Sequence, residues 1–529
     1  MASLTAVLSY LDVLLRGAVL AAQAVAIGGI TFALLVLRPT VRRDPSLRPQ
    51  LPSTLRMSAW AALGVAAGQC FSLFVLIGSL SDAQQWPIAE VLGISFGRAS
   101  VVHILGCLGV AATCWIAARR PTSTAAWVGT LSCAAVVIGT GAHTSHASAR
   151  LEGRVLLLWV DAIHQLAAAL WIGGLIHLLA AMWRAEGSLP VSVLKRFSPV
   201  ALGAVAGLVV TGLAFSFHYI GGPWALYGTS YGAMLVSKVL ILGGLLALGG
   251  MNFLSSRLLR DASAAPPRVR WFVEAEVGLG ITVMFIAASL TSLPPAADVP
   301  EGERVSMSEI ADQFTPQWPR LTSPTRDELP PSDDPLSTRS PEDIAWSEYN
   351  HHVAGIFVLA IGLLAVLERT GRAPWAQHWP LLFIGLATFL FARDDPEAWP
   401  FGPLGFWEGF AFRTILQHYI FVVLVLAFGI FEWLVRTGRL RSPRPAFVFP
   451  LLSAVGAGLL LAHSHSLENL KTVYLVEITH LPLGVLGCCM GWARWLELRL
   501  PAPDNRALGW VWSLALVLIG VLLLLYRES

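Results

Sequence analysis

The sequence predicts an all-α polytopic membrane protein with about 14 transmembrane helices. Of its 529 residues, 55% are hydrophobic and only 13% are charged. Mean hydropathy is +0.65. Apolar runs of about 20 residues recur along the whole chain, each enough to cross roughly 30 Å of hydrocarbon. The net charge of +3 is small and its positives sit in short loops. It therefore bears on orientation and gives no support to nucleic-acid binding.

The spans fall near residues 8–37, 57–80, 98–118, 124–142, 155–183, 197–219, 231–256, 271–293, 350–367, 379–392, 410–435, 446–462, 471–493 and 507–526. The first, Leu8 to Leu37, is too long for a signal-peptide core and lacks a basic leader, so it is expected to remain as a span. Basic residues cluster in alternate loops: Arg38, Arg42, Arg43, Arg48 and Arg56, then Arg119 and Arg120, then Arg184, Lys195 and Arg196. The pattern continues with Arg257, Arg260, Arg268 and Arg270, with Arg369 and Arg372, with Arg436 to Arg444, and with Arg494, Arg499 and Arg506. The positive-inside rule makes those loops cytoplasmic and puts both termini outside.

Three regions follow: an eight-helix membrane domain over 1–293, an acidic, proline-rich outer segment over 294–349, and a six-helix membrane domain over 350–529. The outer segment reads as a linker or a lid, with Phe314, Trp318 and Trp346 available to pack on the outer surface. All six cysteines (Cys70, Cys107, Cys114, Cys133, Cys488 and Cys489) lie inside spans, with no CxxC motif and no sign of a disulfide framework. Cys107 and Cys114 share a helical face and read as small core residues or as soft ligands. The eight methionines form no cluster suited to a thioether relay.

With this topology, eleven of the thirteen histidines lie at or just below the outer face. His103, His164, His418 and His480 lie one to three turns down, while His143, His146, His218, His351, His352, His463 and His465 lie at the surface. Only His177 and His378 belong to the inner side. Imidazole is costly in hydrocarbon and usually faces a partner, a cavity or a metal, so a one-sided array points to a metal site.

The two halves also share a landmark order. Trp86-Pro87, Arg98, His103, His143-x-x-His146 and Asp161-x-x-His164 are followed, in the second half, by Trp399-Pro400, Arg413, His418, His463-x-His465 and Glu477-x-x-His480. This suggests two related helical units in parallel repeat. An acid three residues before a histidine shares its helical face, where it serves as ligand or orients the ring. The expected metal ligands are His103, His143, His146, Asp161, His164, His351, His352, His418, His463, His465, Glu477 and His480. Imidazole suits copper, zinc and iron alike, so ligand type does not choose among them. Arg98 and Arg413 read as partners of the carboxylates or as a barrier to a second cation. Lys238 reads as a snorkelling cation or a fixed charge beside an ion path, and Glu274 with Glu276 as a hydrated inner helix end or a cation exit.

The run His164-Gln-Leu-Ala-Ala-Ala-Leu-Trp171-Ile-Gly173-Gly174, followed by Arg196-Phe197-Ser198, Thr211-Gly212, Gly228-Thr229-Ser-Tyr231-Gly232, Lys238 and Asn252, resembles the copper-resistance protein D family. The resemblance covers about 155–293. Trp318-Pro-Arg-Leu-Thr-Ser-Pro324, Tyr349-Asn-His351-His352 and His463-Ser-His465-Ser look like the family's long form, with an additional C-terminal membrane half. It implies a bacterial inner-membrane protein that handles copper, of either valence, together with periplasmic copper-binding partners. No ATP-binding loop and no soluble catalytic module is present, so the chain is not expected to be an enzyme, and transport would run on gradients or on delivery by a partner. Paired histidines ligating haem b, or copper delivery in oxidase assembly without transport, remain the alternatives.

Overall fold

The computed structural model describes residues 2–84, 86–145, 152–185, 189–258, 266–329, 340–393, 395–440, 442–461 and 470–528. They are helical with no strand among them, and fourteen helices are long and apolar enough to cross a bilayer. These are α1 (Val13–Val41), α2 (Pro45–Gly78), α3 (Ser95–Arg119), α4 (Thr124–His143), α5 (Arg154–Arg184), α6 (Val191–Tyr219) and α7 (Ser230–Ser255). They continue with α8 (Pro267–Leu290), α9 (Pro341–Arg369), α10 (Pro374–Arg393), α11 (Ile415–Arg436), α12 (Arg444–Leu461), α13 (Tyr474–Arg499) and α14 (Asn505–Leu524). The expected spans all recur.

The clearest shift is at α9, which begins at Pro341 rather than near 350. Ser340 and Asp343 form a capping box there, with proline in the first turn, so the helix starts inside the acidic segment. Trp346 is thereby a buried helical residue with the Arg393 guanidinium 3.8 Å above its ring.

The chain forms two compact units. One comprises Leu14–Gly221 and Leu242–Thr291, the other Met1–Val13, Gly222–Ile241 and Ser292–Ser529, so α7 contributes to both. In the first unit α2 to α6 pack in chain order. Here α1 and α5 approach at backbone distance. A side chain at Gly28 would meet the Ala169 carbonyl and the Gly173 Cα, and one at Gly173 would overlap the Ala24 carbonyl. Glycine is required because nothing larger fits between the two backbones. On the α5 side the contact is a π-helical turn, Ala169–Gly173, whose wider winding presents the carbonyl to α1.

In the second unit α9 packs along α14, and α13 along both α12 and α14. Gly355, Gly362 and Gly520 let α9 and α14 touch at the backbone. Charged side chains tie one end of this bundle together. Glu432 Oε1, fully buried, accepts from Arg436 Nε at 2.8 Å and from Arg494 Nη2 at 3.1 Å. Arg494 Nη1 and Arg369 Nη2 donate to the two oxygens of Glu497 at 2.6 and 2.5 Å, and Arg436 also donates to Glu368. Trp379 and Trp512 donate their indole N–H to Glu368 and Glu497 at 2.8 and 2.6 Å. Both rings are buried under arginine guanidinium groups, Arg436 at 4.8 Å from Trp379 and Arg494 at 5.3 Å from Trp512. Three arginines and three glutamates balance, so the network buries no net charge, as a low-dielectric interior requires.

Because removing one partner of a buried network leaves the others uncompensated, Glu432→Ala is expected to destabilise the second unit by about 3–5 kcal/mol. Thermal unfolding in detergent checks this, against Glu309→Ala at the surface, which should barely move the midpoint.

Candidate metal centre

In the first unit, each of two expected ligands is held by a threonine. His103 is buried on α3 with Nδ1 2.9 Å from Thr140 Oγ1. The Thr140 hydroxyl lies 2.7 Å from the Val136 carbonyl and 3.2 Å from the Val137 carbonyl. With the hydroxyl given to a carbonyl, the imidazole is the donor in the pair, the tautomer that carries the proton on Nδ1. His164 on α5 repeats the device. Its Nδ1 lies 2.8 Å from Thr211 Oγ1, and Thr211 donates to the Gly207 carbonyl at 2.6 Å.

Asp161 accepts from Gln165 Nε2 at 2.9 Å, and Gln165 Oε1 accepts from Gln23 Nε2 at 2.8 Å, an amide chain that links the acid to α1. His143 is exposed at the end of α4, and Arg98 is exposed rather than set against a carboxylate. His146 lies outside the described residues, as do His463, His465 and the side chain of Arg413.

The second unit brings histidines together from three helices. His351 on α9 and His480 on α13 have ring centroids 5.7 Å apart, nearly perpendicular at 79°. Tyr526, just beyond α14, stacks on His351 at 3.7 Å and meets His480 edge-on at 5.6 Å. Each of these histidines donates Nδ1–H to a carbonyl of its own helix: His351 to Ser347 at 2.9 Å and His480 to Val476 at 2.8 Å. On α11, His418 donates Nδ1–H to Asp395 Oδ2 at 2.6 Å, a carboxylate that orients the ring. In all three rings Nδ1 is the anchored nitrogen. Glu477 is buried on α13, one turn before His480. Glu528 accepts from the Tyr526 hydroxyl at 2.8 Å and from Ser347, closing the cluster with the last residues of the chain.

His352, also expected as a ligand, has a different position. Its Nε2–H donates to the Tyr526 carbonyl at 2.8 Å and its Nδ1 accepts from the Arg320 backbone N–H at 2.7 Å. With both nitrogens used, the ring is a strap that joins α9, the acidic segment and the C-terminal tail. Further contacts dock that segment onto the same unit: Arg320 pairs with Glu348 at 3.0 Å, Arg393 donates to Ser323 at 2.5 Å, and Arg326 donates to the Phe401 carbonyl at 2.8 Å. Lys471 pairs with Glu309 at 2.6 Å, and that hydrogen bond, with those from Ser306, holds the Glu309 carboxyl down at about 2. Its contribution is present above the ordinary carboxylate range and is lost only as pH falls toward about 2. The acidic segment is thus a docked cover at its described residues. Trp318, expected to pack on the surface, instead is 96% exposed, at the mouth of a cavity of about 200 Å³ lined also by Arg320, Glu348, His352 and Tyr526.

Two further acids depart from expectation. Glu274 and Glu276 do not form a hydrated helix end, since both are buried. Glu274 accepts from Trp183 at 3.5 Å and lies 3.7 Å from Arg270, and Glu276 accepts from Asn252. Among the described residues no three His, Cys, Asp or Glu side chains are gathered tightly enough to hold an ion. The expected twelve ligands resolve into separate arrangements: two His–Thr pairs in the first unit, and the His351–His480–Tyr526 cluster with His418 in the second. Thr140, Asp395 and Tyr526 were missed by pattern reading, and Thr211 was read only as part of a family motif, without a role beside His164. Asp395 left a signal, an acid in the loop before α11.

Residues 191–290 match the family described as Copper resistance protein D, and residues 7–156 match the Copper resistance protein D-like N-terminal domain. The chain is also similar to Copper transport protein CutJ of Bacillus subtilis (strain 168), 32% identical over 187 residues. That match spans 32% of this chain and 34% of the relative, about a third of each. No solved structure matches. The family resemblance is borne out, and both matched regions lie within residues 1–293, with His164 between them. The His351–His480 cluster lies outside them.

The strap carries an expected outcome. His352→Ala removes two hydrogen bonds, about 2 kcal/mol together, or roughly a thirtyfold rise in the undocked population of the acidic segment. Hydrogen exchange over 307–329 reads this rise, and copper bound per protein should stay unchanged.

Proposed function

We propose that this protein, whose first half carries both regions of copper resistance protein D, is a multi-pass membrane protein that handles copper, and that it moves copper ions across the bacterial plasma membrane. The observation that carries this reading is the pair of family matches over 7–156 and 191–290. The geometry supports it with five histidines, His103, His164, His351, His418 and His480. Each has Nδ1 anchored, the arrangement in which Nε2 is the nitrogen that would coordinate a metal. A metal arriving at such a ring displaces no proton from the coordinating nitrogen, so capture does not compete with deprotonation near neutral pH.

On the topology read from the basic loops, these rings and both termini face the periplasm. His351 and His480 form the second-half capture pair. With metal–nitrogen bonds of about 2 Å, two imidazoles on one ion have centroids roughly 5–6 Å apart, and theirs are 5.7 Å apart. His418 with Asp395 stands beside them, while His103 and His164 serve the first half. Periplasmic copper-binding proteins are the partners this arrangement suits, and the protein acts as a carrier rather than a catalyst. Haem b is less well supported, because Tyr526 packs against both His351 and His480 and occupies the space a porphyrin would need.

The test is copper content and flux. Purified wild-type protein should bind copper measurable by elemental analysis, and proteoliposomes should take up labelled copper. His351→Ala with His480→Ala should lower bound copper by at least one ion per chain and reduce flux, while leaving the His103 and His164 sites loaded. Wild-type copper content in that double variant would remove the second-half site, and copper-free wild-type protein would overturn the copper reading itself.

A further inference from the structure

We propose that Glu276 carries a proton and is the group through which ion passage in the first half is coupled to proton movement. The proposal rests on the transport reading above and extends it from the metal to the second ion. Glu276 lies in α8 within the region 267–290, which is helical and apolar enough to span a membrane, and its side chain is only 2% exposed. Its oxygen Oε1 accepts from the Asn252 amide on α7. The other, Oε2, lies beside Gly249, one turn away on the same neighbouring helix, where any added side chain would touch the carboxyl at 3.4 Å. Trp171, within the π-helical turn of α5, walls the same space.

The ionisable groups on the helices packed around it are otherwise engaged. Arg270 lies 3.7 Å from Glu274 on its own helix. On α5, Arg184 donates to Gln50 at 2.9 Å and His177 donates to the Val25 carbonyl at 2.9 Å. Lys238 stands on α7 about 21 Å along the helix from Asn252. Among the described residues no cation pairs with Glu276. The contrast with the second unit is direct, since every glutamate of that buried network has an arginine. A carboxylate so buried, with one amide donor and no counter-charge, would cost several kcal/mol, whereas the neutral acid would not.

The resulting step is balanced in charge. The acid releases its proton to water on one side, the carboxylate left behind is neutralised by a passing monovalent copper ion, and a proton from the other side restores the acid as that ion leaves. Asn252 gives the carboxyl a polar partner in both states without a fixed positive charge that would repel the ion.

Glu276→Gln keeps the shape and an acceptor for Asn252 but cannot release a proton. Two measurements on full-length protein test the proposal. In infrared difference spectra across a pH titration, wild type should show a protonated-carboxyl band that is absent from Glu276→Gln. In proteoliposomes, an imposed pH gradient should change wild-type copper flux several-fold, and the variant should lose that dependence while retaining copper content. An unchanged carboxyl band, or gradient dependence equal to wild type in the variant, overturns the proposal. If wild type moves no copper at all, the transport reading fails instead, and the infrared band still decides whether Glu276 carries a proton. Glu276→Asp, which keeps the acid, should restore the band and distinguish a lost proton from a lost fold.

Discussion

A buried, charge-balanced network at one end of α9, α11, α13 and α14 is the constraint on which the second unit depends. Glu368, Arg369, Glu432, Arg436, Arg494 and Glu497 clasp three of these helices, and Trp512 brings in the fourth. The same helices carry the histidine cluster at their other ends. His351 precedes Glu368 by 17 residues and His480 precedes Glu497 by 17, about 26 Å of helix in each case. His418 precedes Glu432 by 14. Rigid helices transmit placement, so a clasp at one end fixes how far apart the rings stand at the other. The network has zero net charge and many hydrogen bonds, which is the form in which ionised side chains persist in a low-dielectric bundle.

The histidines divide by which nitrogen holds the proton. His103, His164, His351, His418 and His480 donate from Nδ1, to a threonine, to a carbonyl of the same helix or to a carboxylate. His177 and His352 donate from Nε2 to backbone carbonyls, and His378 accepts the Trp433 indole N–H on Nδ1. The second group holds helices or segments together. The first group donates from Nδ1 to partners that differ, and His218 does the same to the Ala214 carbonyl of its own helix at 2.9 Å, so the carbonyl contact is a detail that helical histidines share. The landmarks that match between the two halves obtain this state by different means: His103 leans on Thr140, whereas His418 leans on Asp395.

The two units deal with buried charge in opposite ways. The second compensates each glutamate of its clasp, Glu368, Glu432 and Glu497, with arginine, and that network reads as structure. The first leaves Glu276 with the Asn252 amide and Gly249 as neighbours, near the π-helical turn of α5. Close glycine contacts hold α1 against α5 in that unit. A structural scaffold needs compensation, whereas a group that changes charge during function needs room and a partner tolerant of both states.

Much of the architecture was legible in the sequence because hydrophobicity and loop charge are local quantities. The fourteen helices and the family resemblance were readable from composition, spacing and motif. The start of α9 was misplaced because a capping box lies within an acidic stretch that otherwise reads as linker. The site was less legible, for a physical reason. Spacing along one helix says which residues share a face, but hydrogen bonds join residues that packing brings together: Thr140 to His103 across 37 positions, Thr211 to His164 across 47, Arg494 to Glu432 across 62, Arg369 to Glu497 across 128. Asp161 and His164 share a helical face as expected, yet it is Gln165 that donates to the acid. Which helices a bilayer-length segment could form was set by the sequence alone. That His103 leans on Thr140 and His418 on Asp395, that His352 is a strap, and that no cation among the described residues pairs with Glu276 were decided only by tertiary packing, because each depends on a neighbour from another part of the chain.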